Sequence, residues 1–293
     1  MKKINYFKIY ILSFLFLGLL SCDKIEAPYV ETINMCGEET ESNPIRKILL
    51  EDYTGHTCGN CPAAARLIND SLKTRYCEHI IPISIHSGWF GRPTTDFPDD
   101  LTTNVGLELG GNGMSSFGEF NIQPQPAGII NRTPYGENLV LTTTETWSKA
   151  IAKLLETPPE MDIDIENTYD TITNNLTINI TVKFIKAFPN NKLNLVLYLT
   201  EDSVISKQTD YEIDPPNVID NYVNRHVLRD GINGTWGQSI VSGSIGANQI
   251  LKRTFTYTVD NKYKEKNCSV IAFVCEAKPK YNIYQAEEKK IME

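Results

Sequence analysis

The stretch GHTCGNCPAAA, residues 55–65, carries two cysteines, Cys58 and Cys61, three positions apart at the start of an alanine-rich run. Such a pair can be a redox couple, half of a metal site or a structural disulfide. A structural zinc site needs four ligands. The sequence has no second CxxC and no HxxxH motif, so we predict no metal here. The redox couple and the structural disulfide both stay open.

The residues on either side predict a strand, a loop and a helix. Residues 45–53 are β-rich and end in turn-forming residues, and residues 62–76 form an amphipathic pattern. The apolar positions of that pattern are Ala65, Ile68, Leu72 and Tyr76. Cys58 then lies at a helix N-terminus, where the helix dipole and free N–H groups favour a thiolate. We therefore expect Cys58 to attack and Cys61 to resolve. His56 is a thiolate stabiliser or a solvated loop residue, and His86 is equally open.

The next elements follow from composition and periodicity. We predict a strand at 79–86, a long glycine-rich insertion at 87–122, and a strand at 126–131. A short strand at 138–141 and a helix at 143–156 complete this part, and Thr142 and Glu145 have the spacing of a capping box. The order is strand, CxxC helix, strand, insertion, strand, strand and helix.

This order resembles the thioredoxin-like fold. Asp52, six residues before Cys58, matches the buried acid of that family, which moves a proton to or from the second cysteine. Pro126 matches the cis-proline that faces the disulfide, and the backbone of Gln125 would then pair with a bound peptide. The sequence departs from the family at Thr57, where a tryptophan is usual, and at Gly59-Asn60 between the cysteines. Because of these departures, the resemblance to thioredoxins does not imply a thioredoxin-like reduction potential for Cys58 and Cys61.

The second half changes to a period of two. Apolar residues alternate with polar ones over four runs, residues 161–166, 176–184, 193–199 and 255–259, as in antiparallel strands over a core. We predict an all-β, immunoglobulin-like sandwich over 158–293, following a thioredoxin-like domain at 45–157. Residues 221–237 contain a histidine, two arginines and Trp236. They form a binding segment or, the interpretation we favour, a loop that closes one end of the sandwich with Trp236 as its plug.

The N-terminus predicts export and anchoring. Two lysines precede an apolar run at 9–20, which is too short to span a bilayer. The ending Leu-Leu-Ser-Cys at 19–22 resembles a bacterial lipobox, so residues 1–21 are expected to be a signal peptide. Cys22 would become the lipidated membrane anchor, followed by a tether at 22–44. The net charge is −8, without a basic cluster, which argues against a nucleic-acid partner.

The remaining cysteines have two interpretations. Cys36 and Cys77 form a structural disulfide or stay as free thiols. Cys268 and Cys275 lie in one predicted strand, about 23 Å apart, far beyond the ~7 Å limit for Cα atoms joined by a disulfide. We expect these two to be unpaired unless the strand is broken.

As a whole, the lipobox, EDYTGHTCGNCP, PQPAGIINR, NRHVLRDGINGTWG and NCSVIAFV resemble the Bacteroidetes outer-membrane lipoprotein family of antigens and adhesins. The resemblance implies outer-membrane localisation, a thioredoxin-like domain and a C-terminal β-sandwich. Two functions remain possible. The chain exchanges disulfides with extracytoplasmic protein thiols, without a cofactor, or it is a non-enzymatic adhesin that binds a surface ligand and uses the CxxC as a staple.

Overall fold

The computed structural model describes Cys36 and residues 43–292. The predicted signal peptide 1–21, the lipidation site Cys22 and most of the tether 22–44 lie outside the described residues. Among the residues described, no helix is long and apolar enough to cross a membrane.

The first half is built around two parallel strands joined by a helical crossover. Its elements are β1 (Ile48–Thr54), α1 (Cys61–Arg66), a π-helical segment (Leu67–Leu72), α2 (Lys73–Tyr76), a 3-10 turn (Cys77–His79), β2 (Ile80–His86), α3 (Asn104–Gly110), β3 (Ala127–Ile130) and α4 (Glu145–Leu155). Strand β1 pairs in parallel with β2 and antiparallel with β3. Parallel neighbours need a long crossover, and the helical run 61–76, called the CxxC helix below, provides it.

The second half is nearly all strand. Its elements are β4 (Met161–Asp170), β5 (Asn175–Phe184), β6 (Phe188–Glu201), β7 (Val204–Thr209), β8 (Val218–Asn224), β9 (Val227–Gly231), β10 (Gln238–Ile245), β11 (Ile250–Thr258), a 3-10 turn (Glu265–Asn267), β12 (Cys268–Glu276) and β13 (Ile283–Lys290). Strands β11, β5 and β4 form a three-stranded sheet, and β7 and β8 form a separate hairpin.

The remaining strands form one eight-stranded sheet that joins the two halves. Its main order is β13-β12-β6-β9-β2-β1-β3, with β10 attached to β6. Strand β9 is the link: it pairs antiparallel with β6 and meets β2 at Ser84 and Val227. The predicted boundary at residues 157 and 158 falls between α4 and β4, so it separates two stretches of chain that share one sheet.

Three local predictions are wrong. Residues 138–141 form only isolated bridges, Leu141 to Gly128 and Asn138 to Tyr135. Helix α4 has Thr144 as its N-cap, without a side-chain cap, because the carbonyls of the preceding turn accept from the first N–H groups. The loop predicted at 221–237 contains parts of β8 and all of β9, since Val227 and Leu228 complete the large sheet.

The alternation of side chains along β1 sends the two faces of this strand into two different cores. Leu49 and Tyr53 pack into a core shared with β2, α3 and β6. Ile48 and Leu50 pack against the CxxC helix and α4. Because successive residues point to opposite faces of a strand, Asp52 belongs to the face that the CxxC helix covers.

A buried ion pair lies on the opposite face of β1. Arg132, just after β3, donates from Nη2 to Glu51 Oε1 at 2.7 Å and from Nε to Glu51 Oε2 at 3.0 Å. Both side chains are almost fully buried. The guanidinium also lies 5.2 Å from the ring centroids of Phe120 and Phe273. The pair therefore ties β1 to the strands of the second half.

The described cysteines outside the CxxC form one disulfide and two free thiols. Cys36 and Cys77 are joined by a disulfide, with their Cα atoms 5.3 Å apart. Cys268 and Cys275 are buried free thiols, as predicted from their separation along β12. Burial raises the pKa of Cys268 to about 12 and that of Cys275 to about 11, so neither is a reactive thiolate at neutral pH.

Removing one partner of the buried ion pair is expected to destabilise the fold strongly. The substitution Arg132→Met leaves the Glu51 carboxylate buried without its cation, and such losses are about 3–5 kcal/mol. Urea denaturation of the wild type and the variant measures the change. Lys153→Ala, which removes an exposed ion pair with Glu156, is the control and should leave the midpoint unchanged. A loss below about 1 kcal/mol for Arg132→Met would contradict the importance of the pair.

Candidate functional site

The two cysteines of the CxxC lie at the start of the CxxC helix, as the sequence predicts. Cys61 is the first residue of α1, Asn60 is its N-cap, and Pro62 follows, where a missing N–H does no harm. Cys58 lies in the turn before the helix. The two are joined by a disulfide, with Cα atoms 5.4 Å apart. Cys58 is 3% exposed and Cys61 is 2% exposed, so the disulfide is covered.

Asp52 lies on the face of β1 that the CxxC helix covers. It is 1% exposed, and its Oδ1 atom has no hydrogen-bond partner. Burial raises the pKa of Asp52 to about 7, because the charged carboxylate loses its hydration. The group therefore gains and loses a proton near neutral pH, as a general acid or base must.

Asp52 and Cys61 line the same cavity. The cavity has a volume of about 140 Å³ and lies between the CxxC helix and β8. Its other polar lining residues include Ser84, His86, Asn224 and His226. A water molecule needs about 10–15 Å³ of such volume, so several fit. The cavity supplies room for water beside the carboxyl group and the second cysteine.

The two histidines left open by the sequence are both buried. His86 lies at the end of β2, in parallel register with Thr54, and neither ring nitrogen has a hydrogen-bond partner of good geometry. Burial lowers the pKa of His86 to about 3, so its ring is neutral at physiological pH. His56 is not solvated. Its Nε2 lies 2.8 Å from the Arg92 carbonyl, and its ring stacks on Phe97 at 5.5 Å.

Gln125 and Pro126 precede β3 and are joined by a cis peptide bond. Ala127 is in antiparallel register with Tyr53, so Pro126 lies at the end of β1 from which the CxxC loop starts. The Gln125 side chain donates from Nε2 to the Ser87 carbonyl at 3.0 Å. The two residues therefore lie at the same edge of the sheet as the CxxC loop.

The insertion covers one side of the CxxC loop. Thr57 donates from its backbone N–H and from Oγ1 to the Phe90 carbonyl, at 3.2 and 3.1 Å. A Cβ at Gly55 would meet the Phe90 carbonyl carbon at 2.3 Å, so the two loops approach as closely as glycine allows. Within the part of the chain that the structure describes, no cluster of His, Cys, Asp or Glu side chains fits a metal ion.

A segment of the second half covers the other side, and the sequence does not reveal it. Gln208 donates from Nε2 to the carbonyls of Gly55 and Cys58, at 3.2 and 3.1 Å. Tyr211 donates its backbone N–H to the Gly59 carbonyl at 2.9 Å. These residues are about 150 positions away from the CxxC, and no local pattern in the sequence marks them as part of the site.

Comparison with known proteins gives a family and a fold. The family described as outer membrane protein Omp28 matches residues 114–293, well over half of the chain. No curated protein matches the chain. Among solved structures, HBP35 of Porphyromonas gingivalis is similar with a TM-score of 0.60 and 17% identity, over 84% of this chain and 76% of that one. This similarity shows a shared fold.

A second solved structure is a domain of the outer membrane lipoprotein Omp28 from Porphyromonas gingivalis. It is 20% identical over 45% of this chain and 88% of that one, with a TM-score of 0.31.

The raised pKa of Asp52 predicts a pH-dependent stability. The unfolded carboxyl ionises near 3.8 and the folded one near 7, so the folded state alone holds this proton between those values. The free energy of unfolding therefore falls as pH rises from about 4 to about 7. Asp52→Asn removes this fall in the free energy of unfolding, because the amide does not ionise. The variant should exceed the wild type at pH 8 by on the order of 4 kcal/mol and match it below pH 4.

Urea denaturation at the two pH values measures this difference. Asp70→Asn, at an exposed position of the CxxC helix, is the matched control. Because it keeps Asp52, its free energy of unfolding should match that of the wild type at both pH values. A constant difference between Asp52→Asn and the wild type at both pH values would show that Asp52 ionises normally in the folded protein.

Proposed function

The chain belongs to the Omp28 family of outer membrane proteins, and from this premise we propose that it is a lipid-anchored thiol–disulfide exchange protein. Outer-membrane localisation follows from the family. Exchange at Cys58 and Cys61, with extracytoplasmic protein thiols as substrates, is the proposed activity.

The observation that carries the proposal is the Asp52 carboxyl group in the cavity beside Cys61. A disulfide that only staples a loop does not need a titratable group next to it. Burying a carboxyl whose oxygen lacks a hydrogen bond costs free energy. Groups that are buried in this way and titrate near neutral pH are typical of functional sites. Asp52 has this character and shares a cavity with the second cysteine.

The residues have distinct roles in the proposed exchange. The Cys58 thiolate attacks a substrate disulfide, a mixed disulfide forms, and one substrate sulfur leaves as a thiolate. The Asp52 carboxylate then takes the proton from the Cys61 thiol. The Cys61 thiolate attacks Cys58 Sγ, which closes the Cys58–Cys61 disulfide and releases the second substrate thiolate. The chain is thereby oxidised and the substrate reduced, and the reverse sequence oxidises a dithiol.

The remaining finer assignments belong to the same proposal. Residues 45–157 are a thioredoxin-like domain, in which the backbone of Gln125 and Pro126 contacts the substrate. Residues 158–293 are an immunoglobulin-like sandwich. Cys22 carries the lipid that holds the protein on the membrane. The strand–helix–strand unit around the CxxC and the two-layered packing of the second-half sheets support the two domain assignments.

A second candidate is a non-enzymatic surface protein in which the disulfide is a staple. The observation that favours it is the burial of the disulfide, since both cysteines are nearly inaccessible beneath the insertion and the segment around Tyr211. Such a protein would bind its ligand elsewhere. Disulfides that are structural rather than reactive have low reduction potentials.

The role of Asp52 can be tested in the full chain in detergent. With Asp52→Asn, the attack by Cys58 should persist while the resolving step slows by about 10²-fold or more. The mixed disulfide with a protein substrate should therefore accumulate and be visible by non-reducing electrophoresis. Cys58→Ser should show neither the mixed disulfide nor turnover.

Cys268→Ala is the control, because Cys268 is a buried free thiol outside the site. It should exchange at the wild-type rate. Equal turnover in the wild type and Cys58→Ser would exclude the proposed activity.

A further inference from the structure

The hairpin β7–β8 extends from the second half to the CxxC loop. It forms its own two-stranded sheet and pairs with no other strand of the described chain. The turn between its strands begins with Asp210 and Tyr211. Gln208 and Tyr211 hydrogen-bond to the CxxC loop, and Asp210 pairs with Arg66 of the CxxC helix. The hairpin is thus a separable piece of structure in contact with the proposed site.

Two main-chain hydrogen bonds join the hairpin to the CxxC loop. Thr209 donates its backbone N–H to the His56 carbonyl at 2.8 Å, and Tyr211 donates its own to the Gly59 carbonyl at 2.9 Å. Thr209, at the end of β7, and Tyr211, in the turn that follows, therefore bind the CxxC loop through main-chain N–H groups two residues apart. Extended peptides that add to an exposed edge use the same kind of contact. The carbonyls of His56 and Gly59 are called the docking edge below.

Side chains fasten the segment in place. The Tyr211 ring lies on Gly59 so closely that a Cβ there would meet ring atoms at 2.4 Å. Arg66 of the CxxC helix donates from Nη1 to Asp210 Oδ2 at 2.8 Å and from Nη2 to Glu212 Oε2 at 2.5 Å. The Asp210 side chain is 1% exposed. The buried Asp210 anchors this end of the hairpin, while Tyr211 and Glu212 remain largely exposed.

The covered state restricts the chemistry at Cys58. Thiol–disulfide exchange requires a direct attack of one sulfur on another, and Cys58 is 3% exposed. A partner protein therefore needs the cover to move. The hairpin pairs with no strand of the eight-stranded sheet, so it opens at lower free energy than the strands of that sheet.

We propose that residues 208–211 act as a tethered ligand, which occupies the docking edge where an extended polypeptide substrate binds. The inference rests on the proposed exchange function and adds the class of substrate: an extended segment whose alternate N–H groups replace those of Thr209 and Tyr211. A folded protein without an exposed strand edge does not offer free backbone N–H groups at alternate residues. Displacement of the hairpin exposes Cys58 and provides the docking edge in one movement.

The first test measures access to the disulfide. A water-soluble phosphine reduces disulfides without a thiol partner, and alkylation followed by peptide mass analysis reports each pair separately. With the full chain in detergent, Tyr211→Ala should speed reduction of Cys58–Cys61 by about tenfold, as the hairpin opens more often. Reduction of Cys36–Cys77 in the same sample should not change.

Two variants serve as matched controls. Tyr211→Phe keeps the ring on Gly59, and Lys207→Ala removes only an ion pair with Asp220 on the same hairpin. Both should match the wild type. Equal reduction rates for Tyr211→Ala and the wild type would show that the hairpin does not cover Cys58, and the proposal would be wrong.

The second test examines the substrate class. In Cys61→Ser, the Cys58 thiolate attacks an unstructured peptide whose cysteine is joined to thionitrobenzoate. A bond forms between Cys58 and the peptide sulfur, and thionitrobenzoate leaves as a coloured thiolate. A second peptide is identical except for N-methyl groups at two alternate residues, which remove the N–H donors. In the double variant Cys61→Ser/Tyr211→Ala, the unmethylated peptide should react several-fold faster than the N-methylated peptide.

The outcomes separate this inference from the proposed function. If both peptides react at the same rate, the proposed exchange function stands, but the substrate does not bind at the docking edge. If neither peptide reacts, although the phosphine shows that Tyr211→Ala opens the site, the exchange function fails and the docking edge fails with it.

Discussion

The ion pair between Glu51 and Arg132 is the constraint on which the site depends. It is buried in the core shared by the two halves, and a charged pair there is tolerated only when each partner meets the other. Glu51 is therefore fixed on one face of β1, and Asp52 must point to the other face. A slip of one residue would exchange the two faces and put Asp52 in the wrong core. The position of Asp52 in the cavity that Cys61 also lines thus follows from an interaction on the far side of the strand.

The same sheet explains how the second half reaches the CxxC. Strand β9 joins β2 at Ser84, whose N–H donates to the His226 carbonyl at 2.8 Å. The chain just before β9 is β8, which lines the cavity beside Asp52. The hairpin is thereby held within reach of the CxxC loop. The candidate site is therefore assembled from both halves of the chain.

Local patterns predict the parts of the site that are close in sequence. The CxxC, the helix behind it and the two strands on either side follow from motif and periodicity, and Asp52 is assigned through the resemblance to thioredoxins. Residues of the site that are far apart in the sequence cannot be predicted from local patterns. Gln208, Tyr211 and Arg66 come together only because β9 closes the sheet. Strand β6 shows the same limit: its alternating leucines predict one apolar face, but Val196 and Tyr198 are buried on the other.

The central claim is that Cys58 and Cys61 form a reversible couple rather than a staple. The most direct measurement is the reduction potential of this pair in the full chain, by equilibration with glutathione buffers and mass analysis of each disulfide. Exchange proteins have potentials between about −270 and −120 mV, and the account predicts a value in this range. A potential below about −300 mV, the range of structural disulfides, would contradict it.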